Sequence, residues 1–119
     1  MRDAVANGYR REMYVAAPIS TRILEGYVDL VYRNDSGLVV VDYKTDGWTT
    51  EADLDAKLTR YRLQGASYAL ALAEATGEPV ARCVFLFLAP TGAVARDVDD
   101  LPRAIDEVRE LMREPSVVG

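Results

Sequence analysis

Gly26-Tyr27-Val28-Asp29-Leu30-Val31-Tyr32-Arg33-Asn34-Asp35-Ser36-Gly37-Leu38-Val39-Val40-Val41-Asp42-Tyr43-Lys44 is the stretch on which the fold turns. Two runs rich in Val, Leu and Tyr flank Asn34–Gly37, a cluster of turn formers. They predict two strands, over 22–33 and 38–44, joined as an antiparallel hairpin. On the first strand, alternation places Leu24, Gly26, Val28, Leu30 and Tyr32 on one face and Ile23, Glu25, Tyr27, Asp29, Val31 and Arg33 on the other. On the second, Leu38, Val40, Asp42 and Lys44 share a face. An aspartate interrupts each apolar run, where propensity disfavours it and where a buried carboxylate is costly unless paired or bound to a metal.

The register joins the two acids. A loop of about two or four residues sets Arg33 opposite Leu38, and the same register sets Asp29 opposite Asp42, with Cβ atoms about 4.5–5.5 Å apart. A three-residue loop shifts this by one unless a bulge restores it. Like charges so placed repel, and a divalent cation between them relieves the repulsion. Mg2+ needs few carboxylates, so two aspartates and a backbone carbonyl suffice. Lys44, two residues past Asp42, emerges on the same face, where an ammonium can neutralise an anionic transition state or orient an attacking water. The chain has only two lysines, Lys44 and Lys57, against twelve arginines. A compact point charge serves a different purpose from a flat guanidinium. Taken singly, each aspartate reads as an ion-pair partner, Asp42 of Lys44 and Asp29 of Arg33. Together, at matched register and with the lysine, they read as a site.

Outward from the hairpin, residues 12–19 predict an earlier strand that Pro18 ends or places near an edge. Glu12 opens it; on its own it reads as an exposed strand-end glutamate, with an extra acid near the metal as the other reading. After Lys44 comes a polar loop with Trp48, which either stacks on a nucleotide or covers the core. A helix follows from about Asp53 to Thr76, closed by Gly77, with Leu54, Leu58, Tyr61, Gly65, Tyr68, Leu72 and Ala75 on one face. On that helix Tyr61, Gln64 and Tyr68 lie along one side. By themselves the tyrosines read as core and Gln64 as an exposed helix former; beside a site, a glutamine holds a phosphate or a water and a tyrosine stacks on a base. Residues 83–88 are apolar on both faces, as in a fully buried strand. A turn at Thr91-Gly92 leads to a short strand over 93–98. Asp99 or Asp100 caps a last helix that turns Leu101, Ile105, Val108, Leu111 and Met112 inward. The strand–helix–strand unit implies a parallel pair, the hairpins imply antiparallel ones, and the result is an α/β fold with a mixed sheet of about five strands flanked by helices.

Composition limits the chemistry. With 119 residues, half of them hydrophobic and 28% charged, the chain reads as one globular domain over residues 1–119. It has no apolar run long enough for a membrane helix and no secretory h-region, so the expectation is a cytoplasmic protein with no membrane partner. A single cysteine excludes an internal disulfide, a four-cysteine zinc site and an iron–sulfur cluster held by this chain alone. The absence of histidine excludes histidine triads and leaves acid–base work to carboxylates, Lys or Tyr. The net charge of −5 argues weakly against nucleic-acid binding. However, the acidity is concentrated in residues 97–114, where seven acids face three arginines.

Gly26-Tyr27-Val28-Asp29-Leu30-Val31, then Val41-Asp42-Tyr43-Lys44-Thr45, then Tyr61-x-x-Gln64-x-x-x-Tyr68-Ala69 resemble the nuclease domain of the RecB/AddA helicase–nucleases, a branch of the PD-(D/E)XK superfamily. The resemblance covers nearly the whole chain. It implies a restriction-endonuclease-like sheet and metal-dependent hydrolysis of DNA phosphodiesters, as part of a helicase–nuclease in recombination and repair. Asp29, Asp42 and the Tyr43 carbonyl would bind Mg2+ or Mn2+, and Lys44 would position or activate the attacking water. Gln64 and Tyr68, with Tyr61, would form the accessory motif that shapes the site and contacts DNA, and Glu12 matches the acid that often opens the preceding strand. The implied partners are DNA and helicase domains of the same or another chain. The family's domain begins with further helices, one often bearing a histidine. This chain lacks the histidine, so the expectation is a C-terminal fragment of a larger protein. A catalytically silent nuclease fold that binds DNA or a partner is the alternative.

Overall fold

The structure, a computed structural model, describes residues 9–19 and 21–113, with side chains from residue 11 onward. Five strands, β1 (Tyr9–Ile19), β2 (Arg22–Asn34), β3 (Gly37–Lys44), β4 (Val80–Ala89) and β5 (Gly92–Asp97), form one sheet in chain order. Among the described residues two helices, α1 (Glu51–Thr76) and α2 (Leu101–Arg113), accompany it. The pairs β1–β2, β2–β3 and β4–β5 are antiparallel, and β3–β4, bridged by α1, is parallel. The mixed α/β architecture read from the sequence is the one present.

The hairpin forms because Asn34 organises its turn: Oδ1 accepts from the amides of Ser36 (2.8 Å) and Gly37 (3.1 Å). Arg33 then pairs with Leu38. The closed end is also tied to the α1–β4 junction. The Leu38 amide donates to Pro79 O at 3.0 Å, and Arg33 grips both oxygens of Glu78 at 2.7 Å. Arg33 is therefore a partner of Glu78, not of Asp29.

β4 is apolar on both faces because it feeds two clusters. Cys83, Phe85 and Phe87 enter the main core with Val40, Leu38 and the helices, whereas Val84 joins Val39 and Val41 on the other face. That second cluster draws on strands alone, with Leu30, Tyr32 and Leu86 at its margin. Strict alternation fails on β2. Val28 and Val31, three apart, both enter the helix-side core, and Leu30 and Tyr32 turn to the far side. The change of face falls at Asp29, opposite Glu12. The ladder pairs Arg11 with Leu30 and Met13 with Val28, and between them Glu12 has φ 50°, the left-handed region. Glu12 is thus an exposed residue at a kink inside β1, not a strand-end glutamate.

α1 starts two residues earlier than its apolar stripe suggests because Thr50 caps it. The Thr50 side chain accepts from the Asp53 amide at 3.0 Å, and Asp53 Oδ2 accepts from the Thr49 amide at 3.1 Å. Gly77 ends it in the left-handed conformation, φ 74°. Its buried face is wider than the predicted stripe, adding Ala66, Ala69, Leu70 and Ala71, because the helix packs on both the sheet and α2; Ala75 is exposed. α2 buries Leu101, Ala104 and Val108, with Ile105 and Met112 partly buried, whereas Leu111 points to solvent. Close approach sets where α1 rests. A Cβ on Gly65 would lie 2.7 Å from Cys83 Sγ and 2.9 Å from Phe85 Cζ, and one on Gly26 would lie 2.8 Å from Tyr68 Cε1. Among the described residues no helix is long and apolar enough to cross a membrane.

Candidate active site

The β2–β3 ladder ends at Leu30↔Val41, and the next position along holds Asp29 and Asp42. Beyond the last pair the strands are joined through a side chain: the Tyr43 amide donates to Asp29 Oδ2 at 2.8 Å. Asp42, 5% exposed, is one of two buried polar residues among those described; the other, Thr76, donates to Leu72 O. Burial first, then the neighbouring Asp29 carboxyl, push Asp42 up to about 6, against the pull of Lys44. Lys44 Nζ lies 3.0 Å from Asp42 Oδ2, yet that buried oxygen has no hydrogen bond of good geometry.

Lys44 is held from three sides. Besides Asp42, its ammonium donates to Gln64 Oε1 at 2.6 Å and sits 4.0 Å from the centroid of the Tyr61 ring, with the Phe85 ring at 5.6 Å behind. Tyr68 faces the same acids. Burial, then the charges of Asp42 and Asp29, raise its phenol above the ordinary value. The α1 face carrying Tyr61, Gln64 and Tyr68 therefore meets the β2–β3 face carrying Asp29, Asp42 and Lys44. The bare ion-pair reading survives in one half only: Asp42 does pair with Lys44, and Arg33 goes to Glu78.

Glu12 does not join. It is exposed, and among the described residues no group of three or more acids, cysteines or histidines is close enough to share an ion. Trp48 packs edge-on against Phe87, ring centroids 6.2 Å apart, and covers the core. Cys83 is buried beneath α1, and burial pushes its thiol up to about 12, which leaves it unreactive. Sequence reasoning missed Asp46 and Lys57. Asp46 Oδ2 accepts from the Tyr61 hydroxyl at 2.9 Å and lies 3.3 Å from Lys57 Nζ. The signal that could have found them was spacing: Lys57 and Tyr61 are four apart on α1, and Asp46 is two residues past Lys44.

Known proteins resemble the chain in sequence and in fold. The chain is 37% identical over 68 residues to an ATP-dependent helicase/nuclease protein of Acetivibrio thermocellus and 35% identical over 66 residues to its namesake in Clostridioides difficile. These stretches are 56% and 55% of this chain and 5% of each relative. Among solved structures, a Eubacterium rectale protein named as an exonuclease superposes with a TM-score of 0.57 at 15% identity, over 94% of this chain and 44% of that one, a likeness of fold. The family model of the PD-(D/E)XK nucleases matches residues 3–116. With the sheet, the paired aspartates and the following lysine in the order of that name, the chain belongs to the PD-(D/E)XK nuclease superfamily.

Proposed function

We propose that the chain, residues 1–119, is the divalent-metal-dependent deoxyribonuclease domain of a longer cytoplasmic helicase–nuclease, an exonuclease serving recombination and repair. Asp42 carries the reading. A buried carboxylate pressed against a second one, with an oxygen that lacks a hydrogen bond and only the Lys44 ammonium 3.0 Å away to offset two acids, gains from a further cation. Asp29, Asp42 and the Tyr43 carbonyl offer the hard oxygen donors that suit Mg2+ or Mn2+. When bound, the ion supplies Lewis-acid polarisation of the phosphodiester.

The chain's own residues do the rest. Asp29 Oδ2 keeps Tyr43 in place by accepting a hydrogen bond from its amide N–H, which fixes the carbonyl on the same stretch of backbone. Lys44 sets a positive charge beside the reacting phosphate, where it stabilises developing negative charge and orients the attacking water. Gln64 holds the ammonium, and Tyr68, with its phenol kept protonated, walls the site and contacts DNA. Glu12, exposed on β1 between the pairs that bracket Asp29, has no part in this mechanism. The relatives' length, of which this chain matches 5%, supports a parent protein with helicase domains.

The assay is cleavage of linear DNA with Mg2+ or Mn2+. Asp29→Ala, Asp42→Ala and Lys44→Ala should each lower kcat by about 100–1,000-fold, the usual loss for one preorganised electrostatic partner. Wild-type rates in Lys44→Ala would reject the mechanism. A wild type that binds Mn2+ but never cuts would make the fold a silent binding module.

A further inference from the structure

Lys44 can act only where its ammonium is placed, and its placement depends on a ring. A four-carbon side chain has many rotamers. Asp42 and Gln64 fix the tip at 3.0 and 2.6 Å, and the Tyr61 face, 4.0 Å away, closes the third side. That ring is itself tethered. Its hydroxyl donates to Asp46 Oδ2 at 2.9 Å, and the same oxygen is 3.3 Å from the ammonium of Lys57, a side chain only 14% exposed. Burial pushes Asp46 upward, but the bonds from Tyr61, from its own backbone and from Lys57 outweigh it and keep the carboxyl below its ordinary value. Asp46 is thus a firmly ionised anchor in the loop that leaves the site strand, tied back to the helix that carries Gln64.

We infer that Asp46 is a positioning residue of this site: through the Tyr61 hydroxyl it holds the aromatic face that seats the Lys44 ammonium, and Lys57 balances its charge. Asp46 touches neither Lys44 nor the acid pair; it acts through Tyr61. The catalytic consequence rests on the nuclease reading above, whereas the positional coupling does not.

The composition supplies the probe. With only two lysines, a lysine-labelled sample gives two sets of side-chain NMR signals, and Lys44→Ala assigns them. The Lys44 ε-methylene protons, beside the Tyr61 face, should be shifted upfield by its ring current. Asp46→Ala and Tyr61→Phe remove the same hydrogen bond from opposite ends, and Tyr61→Phe keeps the ring and the packing. Both should move the Lys44 signal toward its position in Tyr61→Leu, which has no ring. In linear-DNA cleavage with Mn2+, kcat should fall by about tenfold in both, below the hundredfold a badly misplaced group costs, with KM unchanged. The double variant should lose no more than either single one, because both break one bond. An unmoved Lys44 signal in Tyr61→Phe overturns the inference, whatever the cleavage rates. A loss confined to KM overturns it too. If the signal moves but the wild type cuts no DNA, the coupling stands and the nuclease reading falls.

Discussion

Asp42 is more easily protonated in the folded chain than in the unfolded one, about 6 against 3.8, because it is buried and faces Asp29. The folded state therefore binds its proton more tightly. The stabilisation is complete below the unfolded value and is lost as pH climbs through the folded one. The rise corresponds to roughly 3 kcal/mol between the two protonation states. In EDTA the melting temperature of the wild type should thus fall between about pH 4 and about pH 7, while Asp42→Asn, which cannot ionise, should lack that decline and melt higher at neutral pH. The Lys44 ammonium keeps Gln64 and the Tyr61 ring in the variant. A strong loss of stability in metal-free Asp42→Asn at neutral pH would mark Asp42 as a purely structural partner of Lys44. This acid pair was legible in the sequence because strand register is simple arithmetic once a turn is located. Asp46 was only half legible: spacing sets Lys57 and Tyr61 on one side of α1, but which loop residue meets them depends on how the loop folds over the helix.

At the scale of elements, α1 determines how the site is assembled, and two contacts seat it on the sheet. Gly26 leaves room for the Tyr68 ring, and Gly65 lets the helix settle on Cys83 and Phe85. Gly65→Ala puts a methyl 2.7 Å from Cys83 Sγ, and overpacking of this kind typically costs about 1–3 kcal/mol. Denaturant titration should show that loss, even though alanine is the better helix former. Thr50→Ala, which removes the cap from Asp53, should cost about 1 kcal/mol by the same measurement. Element order, turn chemistry and the Gly77 stop were readable because each has a local cause. The face change on β2 was not, since the kink at Glu12 is a joint property of two strands, and alternation carries no sign of it. Nor was exposure of Ala75 and Leu111 readable, because an apolar stripe does not say how much of it a neighbour covers.

Across the whole molecule, the C-terminal helix docks through ion pairs of both polarities. Glu107 pairs with Arg62 at 3.0 Å and Arg109 with Glu74 at 3.1 Å, joining α2 to α1. Asp97 is occupied by Arg82 at 2.7 Å, which lowers its carboxyl below the ordinary value. On the proposed reading, an added cation binds at Asp29 and Asp42 and not on this stretch. Millimolar Mn2+ should raise the wild-type melting temperature, by the equivalent of about 2.7 kcal/mol at 100-fold over the dissociation constant, and raise Asp42→Asn much less. Equal responses would place the ion elsewhere.

The tie between the hairpin turn and the α1–β4 junction has a mechanical consequence. Arg33–Glu78 and Leu38–Pro79 fix β2 and β3 at their closed end, while the backbone ladder gives out at Leu30↔Val41. The two strands are a pair of tweezers riveted at the turn; each tip carries an aspartate, and each blade is braced from outside, β2 by β1 and β3 by β4. The hydrogen bond from the Tyr43 amide N–H to Asp29 Oδ2 bridges the gap between them. A splay at the tips has to carry β1 or β4 with it, so the whole sheet holds the spacing of the carboxylates. The gap between the two acids is thus stiff, a property of four strands and not of two.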